Sequence, residues 1–411
     1  MHAPSSSTSA GWRGPGMREF VALMAALMAS NALAIDAMLP ALPAMGEALN
    51  VADENRRQLV ITFYLLGFGI AQLVYGPISD RVGRRPVLVV TMGFYAAFAL
   101  LCGIVSSFEW LLVARALQGV AAAGTRVLVV SVVRDRFEGG AMARVMSLVF
   151  IIFMIIPVLA PSFGQAVLAF ASWRYIFIGL AVYGAVVLLW SLMRLPETLA
   201  PENRRPLSFA SVWEATVLTL TNRVSIGNTV ASTLIFGGLF AFINSVQQIV
   251  QDVFGRPELL GLAFACIAGP MALSSWYNSR VVERLGARRL ATYALAAFTG
   301  FALIHLLLAL SVGESLVLFI VMQMLTMASF ALIGANLGSL AMQPLGRIAG
   351  TASSVQGAIG TIGGAVIGAA IGQSFDGTVV PFLIGLTICG AASLLIAWWT
   401  NRSVPVPAAA E

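Results

Sequence analysis

Ten stretches of this chain, each 19 residues or longer, contain no charged side chain: 58–79, 86–108, 145–173, 175–193, 224–251, 259–279, 290–313, 315–346, 348–375 and 377–401. A helix rises 1.5 Å per residue, so about 20 apolar residues cross a hydrocarbon core of roughly 30 Å. Two further apolar segments, 20–42 and 110–133, are as long but interrupted by charge. The spacing predicts twelve transmembrane helices and an all-α integral membrane fold. Composition agrees: 59% of the 411 residues are hydrophobic and 10% charged, against roughly 25% charged in soluble domains.

Charge placement orients the spans. Every basic residue is an arginine, so neither a P-loop lysine nor a Schiff-base lysine exists, and an ATP-driven pump would need another subunit. If successive connections are assigned to alternate faces, one face holds Arg56, Arg57, Arg174 and Arg256, while Arg115 and Arg126 lie inside a span. The rest of the 24 fall on the face that carries both termini. By the positive-inside rule that face is cytoplasmic, and the expected location is a bacterial inner membrane. Residues 1–16, rich in Ser, Gly and Pro, and residues 402–411 are expected to be cytoplasmic tails, the first disordered and lacking the pattern of a signal peptide. Cys102, Cys266 and Cys389 stand singly in apolar runs and read as small core residues, with no metal-ligand spacing.

An internal echo divides the chain. Asp80-Arg81-Val82-Gly83, between spans 2 and 3, recurs as Glu283-Arg284-Leu285-Gly286, between spans 8 and 9, at an offset of 203 residues. Glu109 and Gln118 align with Glu314 and Gln323 at an offset of 205. Two six-span halves with a site between them near the midplane are the usual construction of secondary transporters. The expected bundles are 17–194 and 222–401, joined by a cytoplasmic linker over 195–221 whose part from 209 to 220 mixes apolar and polar positions as a surface helix does. Gly360, Gly364, Gly368 and Gly372 recur every fourth residue of span 11, a face for close helix contact.

The motifs carry a resemblance. GPISDRVGRRPVL resembles the loop motif of the major facilitator superfamily, and LLVARALQGVAAAG (111–124) its fourth-span motif, with Arg115 and Gly119 in place. IPVLAPSFGQ (156–165), with Pro157, Pro161 and Gly164, is similar to the fifth-span motif of the 12-span drug:proton antiporters, although Ala160 and Gln165 stand where glycines are usual. DAMLPALP, SWRYIF and LPET resemble the bicyclomycin and chloramphenicol resistance branch. The resemblance implies two pseudo-symmetric six-helix bundles. It also implies a gate loop, Gly76, Asp80, Arg81, Gly83, Arg84 and Arg85, whose Asp80 latches onto the cytoplasmic end of span 11 when the inner gate is shut. Asp135 in RDRF is the expected acidic partner of Arg81 or Arg85.

Asp36 in span 1 and Arg115 and Arg126 in span 4 are the charges inside the membrane. Each costs about 2.5 to 3.5 kcal/mol to insert, so they are expected to face a cavity rather than lipid. Arg115 and Arg126 are eleven residues apart, roughly three turns, and share a helix face with Gln118 or Gly119 and Ala122. Asp36 is expected to exchange a proton for a cationic or polar drug, with burial favouring its neutral form and a nearby Arg115 its ionised form. Asn31, Tyr64, Gln118, Arg126, Met154, Phe240 and Asn244 are the expected cavity lining. The leading function is a monomeric proton-driven exporter of drug-like small molecules, acting within the bilayer with no cofactor, metal or nucleic acid. The alternative is a proton-coupled uptake symporter for an organic anion held by the two arginines. No HExxH, GxSxG or cysteine cluster points to an enzyme.

Overall fold

In hydrocarbon every backbone N–H and C=O must be satisfied within its own segment, which a helix does and an open strand cannot. The computed structural model describes residues 14–204 and 209–402. Most of the expected tails and residues 205–208 of the linker therefore lie outside the described residues. Twelve helices long and apolar enough to cross a membrane occur among the described residues. They are α1 (Met17–Asp36), α2 (Leu59–Val82), α3 (Arg84–Ile104), α4 (Phe108–Arg136), α5 (Gly139–Phe170) and α6 (Arg174–Arg194). The second set is α7 (Arg223–Gln248), α8 (Leu260–Leu285), α9 (Ala287–Ser311), α10 (Leu316–Met342), α11 (Ala349–Gln373) and α12 (Val380–Asn401). A thirteenth helix, Phe209–Thr221, precedes α7, with Trp213 and Leu220 exposed.

Local chemistry sets the boundaries. Pro40 cannot donate a backbone hydrogen bond, and α1 ends shortly before it, followed by a 3-10 turn, Leu39–Ala41, and a short α-helical segment, Leu42–Ala48. The repeated motif is explained at its glycines: Gly83 (φ 115°) separates α2 from α3 and Gly286 (φ 76°) separates α8 from α9. Both tight turns use backbone angles that other residues rarely adopt. Ser107 caps α4 and Ser315 caps α10, each accepting from a backbone N–H of the first turn. Pro157 and Pro161 sit within α5, which continues through both as one helix.

The packing repeats with the sequence. Within the first bundle α2 packs on α4, α3 on α4 and α6, and α1 on α4, α5 and α6. Within the second, α8 packs on α10, α9 on α10 and α12, and α7 on α10, α11 and α12, so every contact has its counterpart six helices on. Between the bundles, α2 meets α11 and α5 meets α8. The glycine face of α11 receives Phe236 and Phe240 of α7 at Gly360, Gly364 and Gly368.

The closest approach in the first bundle joins α2 and α4. A Cβ on Gly119 would overlap the carbonyl oxygen of Tyr64, and one on Gly67 would overlap that of Ala116. Small residues at such positions let membrane helices touch along their backbones. Gly119→Ala is expected to lower unfolding stability in detergent by about 1–3 kcal/mol. Gly334→Ala, on α10 with nothing near its added methyl, should leave the thermal midpoint unchanged; equal midpoints for both variants would contradict this packing.

Candidate functional site

Arg115 is fully buried in the first bundle, about two turns into α4 and level with the end of α1 and the start of α2. Its Nε donates to the Val60 carbonyl at 3.2 Å, Nη2 to the Ala34 carbonyl at 2.9 Å and Nη1 to Gln118 Oε1 at 2.6 Å. The guanidinium also lies over the Tyr64 ring, 4.4 Å from its centroid. No carboxylate pairs with it among the described residues. Arg115 is thus a packed tie between α1, α2 and α4, and Gln118 and Gly119 on the same face are packed with it.

Asp36 occupies the last position of α1 and is 4% exposed. Its carboxylate has neither an ion pair nor a side-chain hydrogen bond among the described residues, although Arg115 holds the carbonyl two residues earlier. Arg115 thus lies near Asp36, but no ion pair joins the two. Tyr64 lies within electrostatic reach of both charges, and its hydroxyl donates to Asn31 Oδ1 at 2.9 Å. Beside Asp36 the chain approaches α5: a Cβ on Gly164 would strike the Ala37 carbonyl and the Pro40 ring. The fifth-span glycine thus lets α5 close over the turn that carries the acid.

Arg126 behaves differently. Its side chain is exposed, and no ion pair or hydrogen bond engages it among the described residues. Asn31 is half-buried, whereas Tyr64, Phe240 and Asn244 are buried. Phe240 packs on Gly364 and Gly368, and both polar atoms of Asn244 lack a partner. The side chain of Met154 lies outside the described residues. Where α1 and α5 begin, Met17, Ala141, Arg144 and Leu148 border a recess of about 480 Å³. No group of three or more His, Cys, Asp or Glu among the described residues is arranged to hold a metal.

At the end of the bundle that carries the termini, Arg84 organises the charged loop. It is 2% exposed and contacts Asp80 at 2.6 Å, Asp135 at 2.9 Å and Ser79 Oγ at 2.7 Å. Asp135 was expected to pair with Arg81 or Arg85; its partner is Arg84 instead. Gly83 reverses the chain so that Arg84 begins α3 and turns its side chain back toward α4, while Arg81 stays exposed and Arg85 donates to the Leu192 carbonyl. Asp80 is paired within its own bundle rather than with α11, and Gly76 faces Ser354 of α11. Sequence reasoning missed Glu197 of LPET, whose carboxylate accepts from the backbone N–H of Arg84 and Arg85 and so caps α3.

The opposite end was also missed. Asn55 Nδ2 donates to the Gln373 and Phe375 carbonyls at 3.2 and 2.9 Å, and Gln248 Nε2 donates to Asn55 Oδ1 at 3.0 Å. Gln58 donates to Gln248 and to the Gly372 carbonyl, and Gln165 to the Pro257 carbonyl. Every one of these bonds joins the first bundle to the second, so neutral amides close this end. Two bundles joined at one end by breakable polar contacts, with an open charge inside, have the construction of an alternating-access carrier.

Comparison with known proteins agrees. Residues 24–368 match the model of the Major Facilitator Superfamily. The chain belongs to this superfamily. It is 30% identical to the multidrug resistance protein MdtL of Salmonella typhi, over 94% of this chain and 97% of that protein. It is 28% identical to a bicyclomycin resistance protein homolog of Haemophilus influenzae, over 90% of this chain and 93% of the relative. The solved structure of a D-xylose-proton symporter superposes with a TM-score of 0.74 at 14% identity, covering 94% of this chain and 98% of the symporter. This superfamily member is a multi-pass membrane transporter of small molecules and not an enzyme.

Among the loop charges of this transporter, Arg84 carries the network. Arg84→Ala, which strands two carboxylates, is expected to cost about 3 kcal/mol of stability, whereas Arg81→Ala at its exposed site should stay within about 0.5 kcal/mol. Thermal unfolding in detergent separates the two, and the reverse ranking would reject the pairing described.

Proposed function

We propose that this superfamily member exports amphipathic drugs from a bacterial cytoplasm across the inner membrane in exchange for protons. The arginine bias supports cytoplasmic termini, and a monomer suffices because both bundles belong to one chain. The single observation that carries the proton is Asp36: an acid 4% exposed, whose carboxylate has no ion pair and no side-chain hydrogen bond among the described residues. An unpaired carboxylate taken out of water costs several kcal/mol or more, and a proton removes that cost. A cationic or polar drug that enters the cavity gives the ionised form a partner, so drug and proton compete for one group. One charge moved through 100 mV is worth about 2.3 kcal/mol, roughly a fortyfold bias per proton. The names of the resistance relatives support export as the direction.

Arg126 then has a separate role. Its open guanidinium repels a second cation and attracts an anionic or carbonyl group of the drug, so it shapes substrate range rather than coupling.

The test is drug-dependent proton release from detergent-solubilised protein. Wild type is expected to release protons when a cationic drug is added and Asp36→Asn to release none, while cells carrying Asp36→Asn should accumulate drug as cells without the transporter do. Undiminished release by Asp36→Asn removes this acid from the mechanism, and drug uptake by wild-type cells would overturn export. Arg126→Ala is expected to keep proton release for at least one cation and to change the relative efflux of neutral and zwitterionic compounds.

A further inference from the structure

The second bundle contains a buried titratable cluster of its own. The chain has two histidines, His2 near its start and His305 on α9, where it is fully buried. His305 Nε2 lies 3.1 Å from Glu314 Oε2, and Nδ1 lies 3.4 Å from Gln323 Nε2. Glu314 follows Gly313 (φ 87°) in the connection from α9 to α10, and its side chain is 8% exposed. The repeat places this cluster opposite a familiar one. Gln118 of α4 faces Cys102 of α3, and its counterpart Gln323 of α10 faces His305 of α9. In the first bundle the amide oxygen holds a fixed cation, Arg115; in the second the amide meets a group that can gain one.

Hydrogen-bond inventory shows how. With one proton on the imidazole, Nε2–H donates to Glu314 and Nδ1 accepts from the Gln323 amide. Glu314 Oε1 and Gln323 Oε1 are then both buried without a partner. A second proton, on Nδ1, needs an acceptor. Rotating the Gln323 amide about its last bond exchanges its nitrogen for its oxygen with no backbone movement, because the two ends are nearly isosteric. The charge improves as well: a neutral imidazole leaves an ionised Glu314 uncompensated just beneath the surface, whereas an imidazolium neutralises it.

We propose that His305, Glu314 and Gln323 form a second proton-binding site, distinct from Asp36 and loaded from the end of the molecule remote from the termini. The side chains behind the imidazole are apolar. Phe319 of α10 lies 5.9 Å away, backed by Phe254 and by Phe382 of α12. Among the described residues no other charged or titratable side chain is bonded to the cluster. Phe254 follows the π-helical turn Ile249–Val253 that continues α7 beyond Gln248, so the site adjoins the amide closure between the bundles.

Protonation is read directly on purified protein without any drug, so the outcome is independent of whether the transporter exports. His2→Asn leaves His305 as the sole histidine, and nitrogen-15 resonances of labelled histidine report each ring nitrogen. Between about pH 9 and about pH 5, the ring is expected to pass from the Nε2–H tautomer to the doubly protonated form. In Glu314→Gln the second proton should not be gained anywhere in that range. Gln323→Leu, which removes the acceptor for Nδ1–H, is expected to lose it too and serves where the Glu314 variant does not fold. A ring that keeps one proton throughout in the parent, or that titrates alike in the parent and in either variant, overturns the site.

Discussion

The first bundle depends on one buried guanidinium. Arg115 stands inside a membrane helix, where insertion costs up to about 2.5 to 3.5 kcal/mol, the figure for a helix centre. Hydrogen bonds to a charged donor contribute about 1.5 to 3 kcal/mol each, and Arg115 makes three. Their sum exceeds the cost. One acceptor, the Ala34 carbonyl, lies in the last turn of α1, where helix carbonyls lack an intrahelical donor. The arginine therefore completes the end of the helix that Pro40 helps to terminate. Because α1, α2 and α4 converge on this side chain, it also fixes the turn on which Asp36 sits.

The three charges inside the membrane are handled in three ways. Arg115 is satisfied by protein, whereas the side chain of Arg126 is exposed and neither it nor Asp36 has an ion pair or side-chain hydrogen bond among the described residues. Only the last two retain a reason to interact with something that comes and goes. A satisfied charge gives scaffolding; an unsatisfied one gives binding, because the ligand or proton supplies what the fold withholds. The fold thus separates the two duties within one bundle.

Much of this was legible from sequence. Charge-free runs fix where helices cross because lipid tolerates no alternative, and the echo of Asp80–Gly83 in Glu283–Gly286 marks the two connections whose glycines make the tight turns. Asp36 and Arg115 stood out because charge in hydrocarbon is costly. Their relation did not: the acceptors of Arg115 are mainly backbone carbonyls, which every residue carries and no sequence marks. Asp135 was assigned to Arg81 or Arg85 rather than Arg84 because neighbouring arginines differ only in which way Gly83 turns the chain. His305 escaped notice because a neutral histidine does not interrupt a charge-free window and Glu314 sits between two such windows. The signal that could have found it was the alignment of Gln118 with Gln323, read together with a lone histidine one helix away.

The two ends of the molecule differ in the chemistry of their polar contacts, and the difference suits a carrier. At the terminal end the charges Asp80, Arg84 and Asp135 remain inside one bundle, where no transport step has to separate them. Breaking a buried ion pair costs about 3 to 5 kcal/mol, enough to stall a cycle if several had to part at once. Between the bundles, Asn55, Gln58, Gln248 and Gln373 use neutral amides instead. Each such bond contributes about 0.5 to 1.5 kcal/mol net, since water replaces it when the end opens. A handful of them amounts to a few kcal/mol, the scale on which one ligand or one proton can shift a two-state equilibrium. A closure made of amides is therefore strong enough to exclude water and weak enough to be opened by the groups that the fold leaves unpaired.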